Sequence, residues 1–194
     1  MQVDCIITAA GLSSRMGQWK MMLPWQGGTI LDASIKNARR CCSHIILVTG
    51  FRHQELMARY SSVPNMTLVY NPDFRQGLYS SVKAGLQALR HDYCFITHGD
   101  LPCLDDAIFY GLWEQRFEGT LMPYYGGIPG HPILTSTSNL RRCLSEEKQT
   151  SVRQSLLTGL CRQIPLNNPA IVLDIDTPED YSRLNKGENK DLRK

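Results

Sequence analysis

Short apolar runs rich in β-branched residues recur through the first half of the chain, at residues 3–8, 44–49, 66–70 and 93–97. Between them apolar positions fall at helical spacing. Ile30, Ser34, Ile35 and Ala38 mark one stripe, Leu56 and Tyr60 a second, and Val82, Leu86 and Leu89 a third. Strands alternating with helices predict a parallel sheet joined by right-handed crossovers. Residues 106–117 add a helix with Ile108, Phe109, Leu112 and Trp113 on its apolar face.

After Gly119 the rhythm changes. Residues 120–125, the turn GGIPG and residues 131–135 read as two extended pieces joined by a Gly/Pro connection and paired antiparallel. Helices are expected from Ser138 and from Ser151, and residues 170–175 read as a last strand. Thr177 suits an N-cap, Pro178 the first helical position, and Glu179 and Asp180 the positive end of a closing helix. The tail from Lys186, KGENKDLRK, is charged and poor in apolar residues, which predicts disorder. The expected fold is α/β, three-layered and Rossmann-like, with a mostly parallel sheet and an antiparallel portion in the C-terminal half. At 194 residues it is expected to form a single domain.

Composition narrows the function classes. A hydrophobic share of 42% with 20% charge is that of an ordinary globular protein, and a formal net charge of +3 without a basic block gives no case for nucleic acid. Seven cysteines are scattered without a C-x-x-C spacing, and Cys41 and Cys42 are adjacent, which suits neither a zinc pair nor a disulfide. Cys5 and Cys94 sit in apolar runs and read as small core residues. No basic leader or long apolar stretch is present, so a cytoplasmic location is expected, with no membrane partner.

The chemistry concentrates in TAAGLSSRMGQWKMMLPW, residues 8–25. A strand running into Ala9, Ala10, Gly11, Ser13 and Ser14 exposes consecutive backbone N–H groups, which form a concave anion site. Arg15 and Lys20 add cations, and the Arg fork suits phosphate. The simplest ligand is a polyphosphate. Neither the Walker spacing nor G-x-G-x-x-G is present; an ordinary strand-to-helix turn is the alternative.

Asp100, in Gly99-Asp100-Leu101-Pro102, follows the fourth strand and so falls on the same sheet edge as this loop. A carboxylate beside phosphates calls for a hard cation between them, and Mg²⁺ binds through one or two carboxylates plus phosphate oxygens. A plain turn before Pro102 is the competing reading. Asp174 and Asp176 alternate onto one face of the expected last strand. Asp176 has an alternative use in the cap of the final helix, so Asp174 is the stronger candidate to touch metal or substrate; Asp174 is assigned to the metal, and Asp176 to the acceptor side. Gln76 and Gly77 precede a helix whose first turn holds Ser80 and Ser81, where hydroxyls and free N–H groups either read a nucleobase edge or cap the helix. In GGIPGHP, Gly130 permits close approach and His131 is a donor for an anionic acceptor or a structural side chain. His98, two residues before Asp100, points to the same side as it.

The string Ala9, Gly11, Ser13, Arg15, Met16, Gly17, Lys20 resembles the signature loop of the nucleotidyltransferases that transfer NMP to a molybdopterin. The similarity extends over most of the chain, to Asp174-Ile175-Asp176-Thr177-Pro178-Glu179-Asp180. It implies a nucleotidyltransferase fold in which residues 1–104 hold the NTP and residues 105–185 the acceptor. It implies Arg15, Lys20 and Asp100 as catalytic, Asp100 as metal ligand, Ser81 facing the base, and Gly130, His131 and Pro132 near the acceptor. Mg²⁺, with Mn²⁺ as a substitute, is the implied cofactor. Ala10 and the short interval from Gly17 to Lys20 resemble the cytidylyl-transferring branch, which implies CTP and Mo-molybdopterin as substrates and a molybdoenzyme or its chaperone as receiver of the product. The guanylyl-transferring branch, a sugar- or polyol-phosphate cytidylyltransferase and a non-catalytic cofactor-delivery chaperone stay open beside it.

Overall fold

The structure is a computed structural model, and it describes residues 1–145 and 151–186. The chain runs β1 (Asp4–Ala9), β2 (Pro24–Trp25), β3 (Gly28–Thr29), α1 (Ile30–Arg39), β4 (His44–Thr49), α2 (His53–Tyr60), β5 (Met66–Tyr70), α3 (Leu78–Gly85) and β6 (Tyr93–His98). It continues through α4 (Asp106–Glu114), β7 (Thr120–Tyr125), β8 (Ile128–Pro129), β9 (Ile133–Ser136), α5 (Thr137–Cys143), α6 (Val152–Leu157), β10 (Cys161–Pro165) and α7 (Pro178–Asn185). The predicted disordered tail lies, apart from Lys186, outside the described residues.

One sheet orders the strands β10-β7-β9-β6-β1-β4-β5, with β8 paired to β7. The pairs β1/β4, β1/β6, β4/β5 and β10/β7 are parallel, whereas β9 runs antiparallel to both β6 and β7. The expected α/β fold with an antiparallel C-terminal portion is therefore the observed one. β1 is entirely buried because both faces are covered. Cys5, Ile7 and Ala9 pack with Ile35 of α1, Leu56 of α2 and Phe109 of α4 on one face. Ile6 packs on the other with Val82 of α3, Leu140 of α5 and Leu156 of α6. These are the three layers.

The chain passes from β1 to β4 on one side and to β6 on the other, so the C-terminal end of β1 is the point where strand order reverses. Ligands of open α/β sheets bind at such a point.

Residues 170–175 do not form a strand. Pro169–Val172 is a 3-10 turn, with the Asn168 side chain accepting from the Ala170 N–H at 3.0 Å and Pro at the start. The edge strand is instead β10, whose residues are half-buried or exposed. α7 begins as expected, with a capping box between Thr177 and Asp180.

Candidate active site

The loop leaving β1 is stitched to both neighbouring strand ends. The Thr8 carbonyl accepts from the Gly99 N–H at 3.0 Å, and the Ala10 carbonyl from the Phe51 N–H at 3.1 Å. Ser13 then adopts the left-handed conformation at φ 55°, which costs a non-glycine residue roughly 1–2 kcal/mol. Its hydroxyl accepts the Lys20 N–H at 3.2 Å and so orients the residue that follows the turn. Met16 is buried and packs in a small satellite core with Trp25, Ile30, Leu173, Ile175 and Leu184. The loop after β1 is thereby pinned to the segment that carries Asp174 and Asp176.

Lys20 is 8% exposed, and its Nζ lies 2.5 Å from Asp100 Oδ2 and 2.8 Å from Asp176 Oδ1. Arg15, largely exposed, reaches Asp176 Oδ2 at 2.7 Å. The Ile175 N–H donates to the Asp100 carbonyl at 3.0 Å and fixes the two acidic segments side by side. Burial alone pulls the Lys20 ammonium down, but the charges of Asp100 and Asp176 outweigh it and the net shift is upward. Burial likewise opposes ionisation of Asp176, yet Lys20 and then Arg15 hold its carboxyl low. Asp174 goes the other way, to about 6, through partial desolvation and then the like charges of Asp100 and Asp176. Asp100 Oδ1 is buried and has no hydrogen-bond partner among the described residues.

The predicted base side forms opposite. Asn71 is buried and its amide donates to Ser80 Oγ at 3.0 Å and Ser81 Oγ at 3.1 Å. Phe74 fits against Gly50, where a Cβ would come within 2.5 Å of the Phe74 Cβ and 2.9 Å of the Ala10 Cβ. Between loop and base side lies a cavity of about 300 Å³, at the small end of the range for ligand sites. Its wall includes Ala10, Gly11, Ser13, Ser14, Arg15, Lys20, Gly77, Ser81, His98, Asp100 and Asp176, all anticipated from the sequence, and also Thr8, Leu12, Met21, Phe74 and Leu78.

Several anticipated residues stand outside that wall. Ala9 is buried in the sheet, Gln76 donates to Asp73 Oδ1 at 3.0 Å, and Asp174 is exposed beside Asp176. Gly130, His131 and Pro132 pack elsewhere: the His131 N–H donates to the Ile171 carbonyl at 2.8 Å, and a Cβ on Gly130 would meet Ile171 at 2.6 Å. The close approach that Gly130 permits is to the 3-10 turn.

His131 supports His98. Register places His98 beside Thr8, and Thr8 Oγ1 lies 2.8 Å from His98 Nδ1. His98 Nε2 lies 2.9 Å from His131 Nε2, and His131 Nδ1 3.2 Å from the Ile96 carbonyl. A carbonyl only accepts, so His131 Nδ1 carries a proton and its Nε2 accepts from His98 Nε2–H. His98 Nδ1 then accepts from Thr8. Both rings are neutral, at about 4 for His98, through burial and then the Lys20 charge, and about 3 for His131, through burial and then His98.

The loop after β1, with Arg15 and Lys20 against Asp100 and Asp176, lies at the switch point of a parallel sheet and forms the candidate active site. The MobA-like NTP transferase domain matches residues 5–174, and the chain belongs to that family. It is 54% identical over 179 residues to the molybdenum cofactor cytidylyltransferase of Escherichia coli (strain K12), covering 92% of this chain and 93% of the relative. A probable molybdenum cofactor guanylyltransferase of Carboxydothermus hydrogenoformans is 27% identical over 194 residues, covering 93% of each. A solved nucleotidyl transferase from Methanothermobacter thermautotroptrophicus shares the fold at a TM-score of 0.84 with 21% identity, over 96% of this chain and 97% of that one. No helix among the described residues is long and apolar enough to cross a membrane.

Proposed function

We propose that this chain transfers CMP from CTP to the phosphate of Mo-molybdopterin, giving molybdopterin cytosine dinucleotide and pyrophosphate. The observation that carries the reading is the convergence of Lys20, Asp100 and Asp176 beside the loop of residues 10–15. The kinship with the E. coli cytidylyltransferase supports the choice of cytidine and acceptor.

The residues fit a divalent cation. Asp100 presents one buried oxygen without a partner and a second already facing a positive charge. Among the described residues no cluster of three or more His, Cys, Asp or Glu side chains is placed to hold a metal. Two carboxylates with the remaining positions left to phosphate and water is the usual Mg²⁺ arrangement, and Mn²⁺ shares it. Asp176, in the cavity wall, is the second ligand of this reading in preference to Asp174. The ion would neutralise phosphate charge as it develops.

The backbone N–H groups of residues 10–14 cradle the triphosphate, and Arg15 and Lys20 stabilise charge moving onto pyrophosphate. Phe74 supplies an aromatic face, and Ser81, held by Asn71, a hydroxyl towards the base. A phosphate monoester acceptor is ionised near neutral pH and attacks without a general base. The neutral His98 and His131 agree with that, since neither is poised to take a proton. The product passes to a molybdoenzyme or its chaperone.

The test is mass spectrometry of products from CTP or GTP with Mg²⁺ and Mo-molybdopterin, run against other phosphate monoesters. The cytosine dinucleotide is the expected product, and pyrophosphate release is lost in Asp100→Ala. Preference for GTP or for a sugar phosphate would overturn the reading.

A further inference from the structure

We infer that Lys20 fills the cation position in the nucleotide-free protein, so that divalent metal enters only together with nucleotide. This rests on the metal-nucleotide reading above and adds an order of events to it.

The ammonium of Lys20 sits between Asp100 Oδ2 and Asp176 Oδ1, at 2.5 and 2.8 Å, with the lysine and Asp100 side chains 10% and 12% exposed. A Mg²⁺ ion bound to the same two oxygens needs contacts of about 2.0–2.1 Å. Nζ and the ion would then overlap, and two cations in one low-dielectric site repel each other. On those two oxygens the two occupants are mutually exclusive.

The lysine is also held in place from its own backbone. The Ser13 hydroxyl accepts its N–H at 3.2 Å, and Lys20 opens a one-turn 3-10 helix that continues through the buried Met21 to the half-buried Met22. Its long side chain is the part free to re-aim. Triphosphate oxygens on the neighbouring loop give the ammonium an alternative partner. Only then are the carboxylates released, and a metal already bound to the phosphates meets them.

Arg15 supplies the contrast. It pairs with Asp176 through Oδ2 at 2.7 Å, but its side chain is 70% exposed and it does not touch Asp100. Removing it subtracts the same formal charge without vacating the position between the carboxylates.

The test is binding of Mn²⁺, followed by electron paramagnetic resonance, to protein without nucleotide and with CTP. Wild type is expected to bind Mn²⁺ weakly alone and strongly with CTP. Lys20→Met and Lys20→Gln, each checked by thermal melting, are expected to bind nucleotide-free Mn²⁺ about tenfold or more tightly than wild type, because paired carboxylates are left uncompensated. Arg15→Met is expected to change it by no more than about twofold, since exposed charges are screened. Equal affinity in both Lys20 variants and wild type would overturn the proposal while leaving the enzyme reading intact. So would an Arg15→Met effect as large as that of Lys20. Absence of Mn²⁺ binding to wild type even with CTP would sink both.

Discussion

The Nε2 atoms of His98 and His131 lie 2.9 Å apart, and the pairing is possible only while at least one of them lacks a proton. Burial keeps both rings neutral far below the ordinary histidine value. The unfolded chain takes up protons near about pH 6.5, whereas the folded rings do so only near 4 and 3. The unfolded state therefore binds more protons in that window, and stability falls as pH drops through it. Melting temperatures from about pH 7 to about pH 4 should decline in wild type and decline less steeply in His131→Ala. The same variant should lose about 1–3 kcal/mol at neutral pH, because the His98 N–H is left without its acceptor. An unchanged slope would contradict the neutral pair.

At the opposite end of β1, Asp4 is fully buried. It accepts from His44 Nδ1 at 2.7 Å and from the N–H groups of Arg90 and His91 at 2.8 Å each. Burial raises its carboxyl, but the backbone and histidine donors outweigh this and the net shift is downward. Its contribution to stability is present above the ordinary carboxylate value and is lost as pH falls through the folded one. Asp4→Asn should cost about 3 kcal/mol by urea denaturation, because an amide replaces a buried carboxylate that accepts several hydrogen bonds, and should leave kcat/KM for CTP near wild type.

Gly50→Ala puts a methyl into the space that Phe74 and Ala10 occupy. Overpacking of this kind costs about 1–3 kcal/mol, and the displaced side chain is part of the cavity wall. The expected result is a higher KM for CTP with a modest fall in melting temperature. An unaltered KM would remove Phe74 from the base side.

Ala10→Gly should raise the GTP-to-CTP ratio of kcat/KM, because the Ala10 methyl narrows the base-side wall and a purine needs more room. Steady-state assays with both nucleotides decide it. An unchanged ratio would show that the base is selected elsewhere, with Ser81 and Phe74 the next residues to vary.

The parallel half of the fold was readable because β1, β4 and β6 are buried on both faces and their runs are almost purely apolar. β10 escaped notice because CRQIP, half-exposed at an edge, carries no such signature. Residues 170–175 look like a strand by composition. The local signal that overrules it is Asn168-Pro169, a cap residue followed by Pro, the same chemistry that correctly marked Thr177-Pro178. Within the site, charge and glycine patterns located the loop, Asp100 and Asp176. Thr8 and Phe74 were missed because a strand-end hydroxyl and an aromatic ring carry no mark of function until register and Gly50 place them. His131 was expected near the acceptor, and nothing local reveals that its ring turns towards His98.

Met16 and Ile175 share a satellite core, and Lys20 and Asp176 meet across 156 positions of sequence. The loop carrying Lys20 leaves the ribosome some 156 positions ahead of the Asp176 that pins it. During synthesis the loop has no anchor and Lys20 lacks one of its two carboxylates. The nascent chain is therefore expected to remain unable to sequester CTP until α7 docks, so that competence is acquired in one late step.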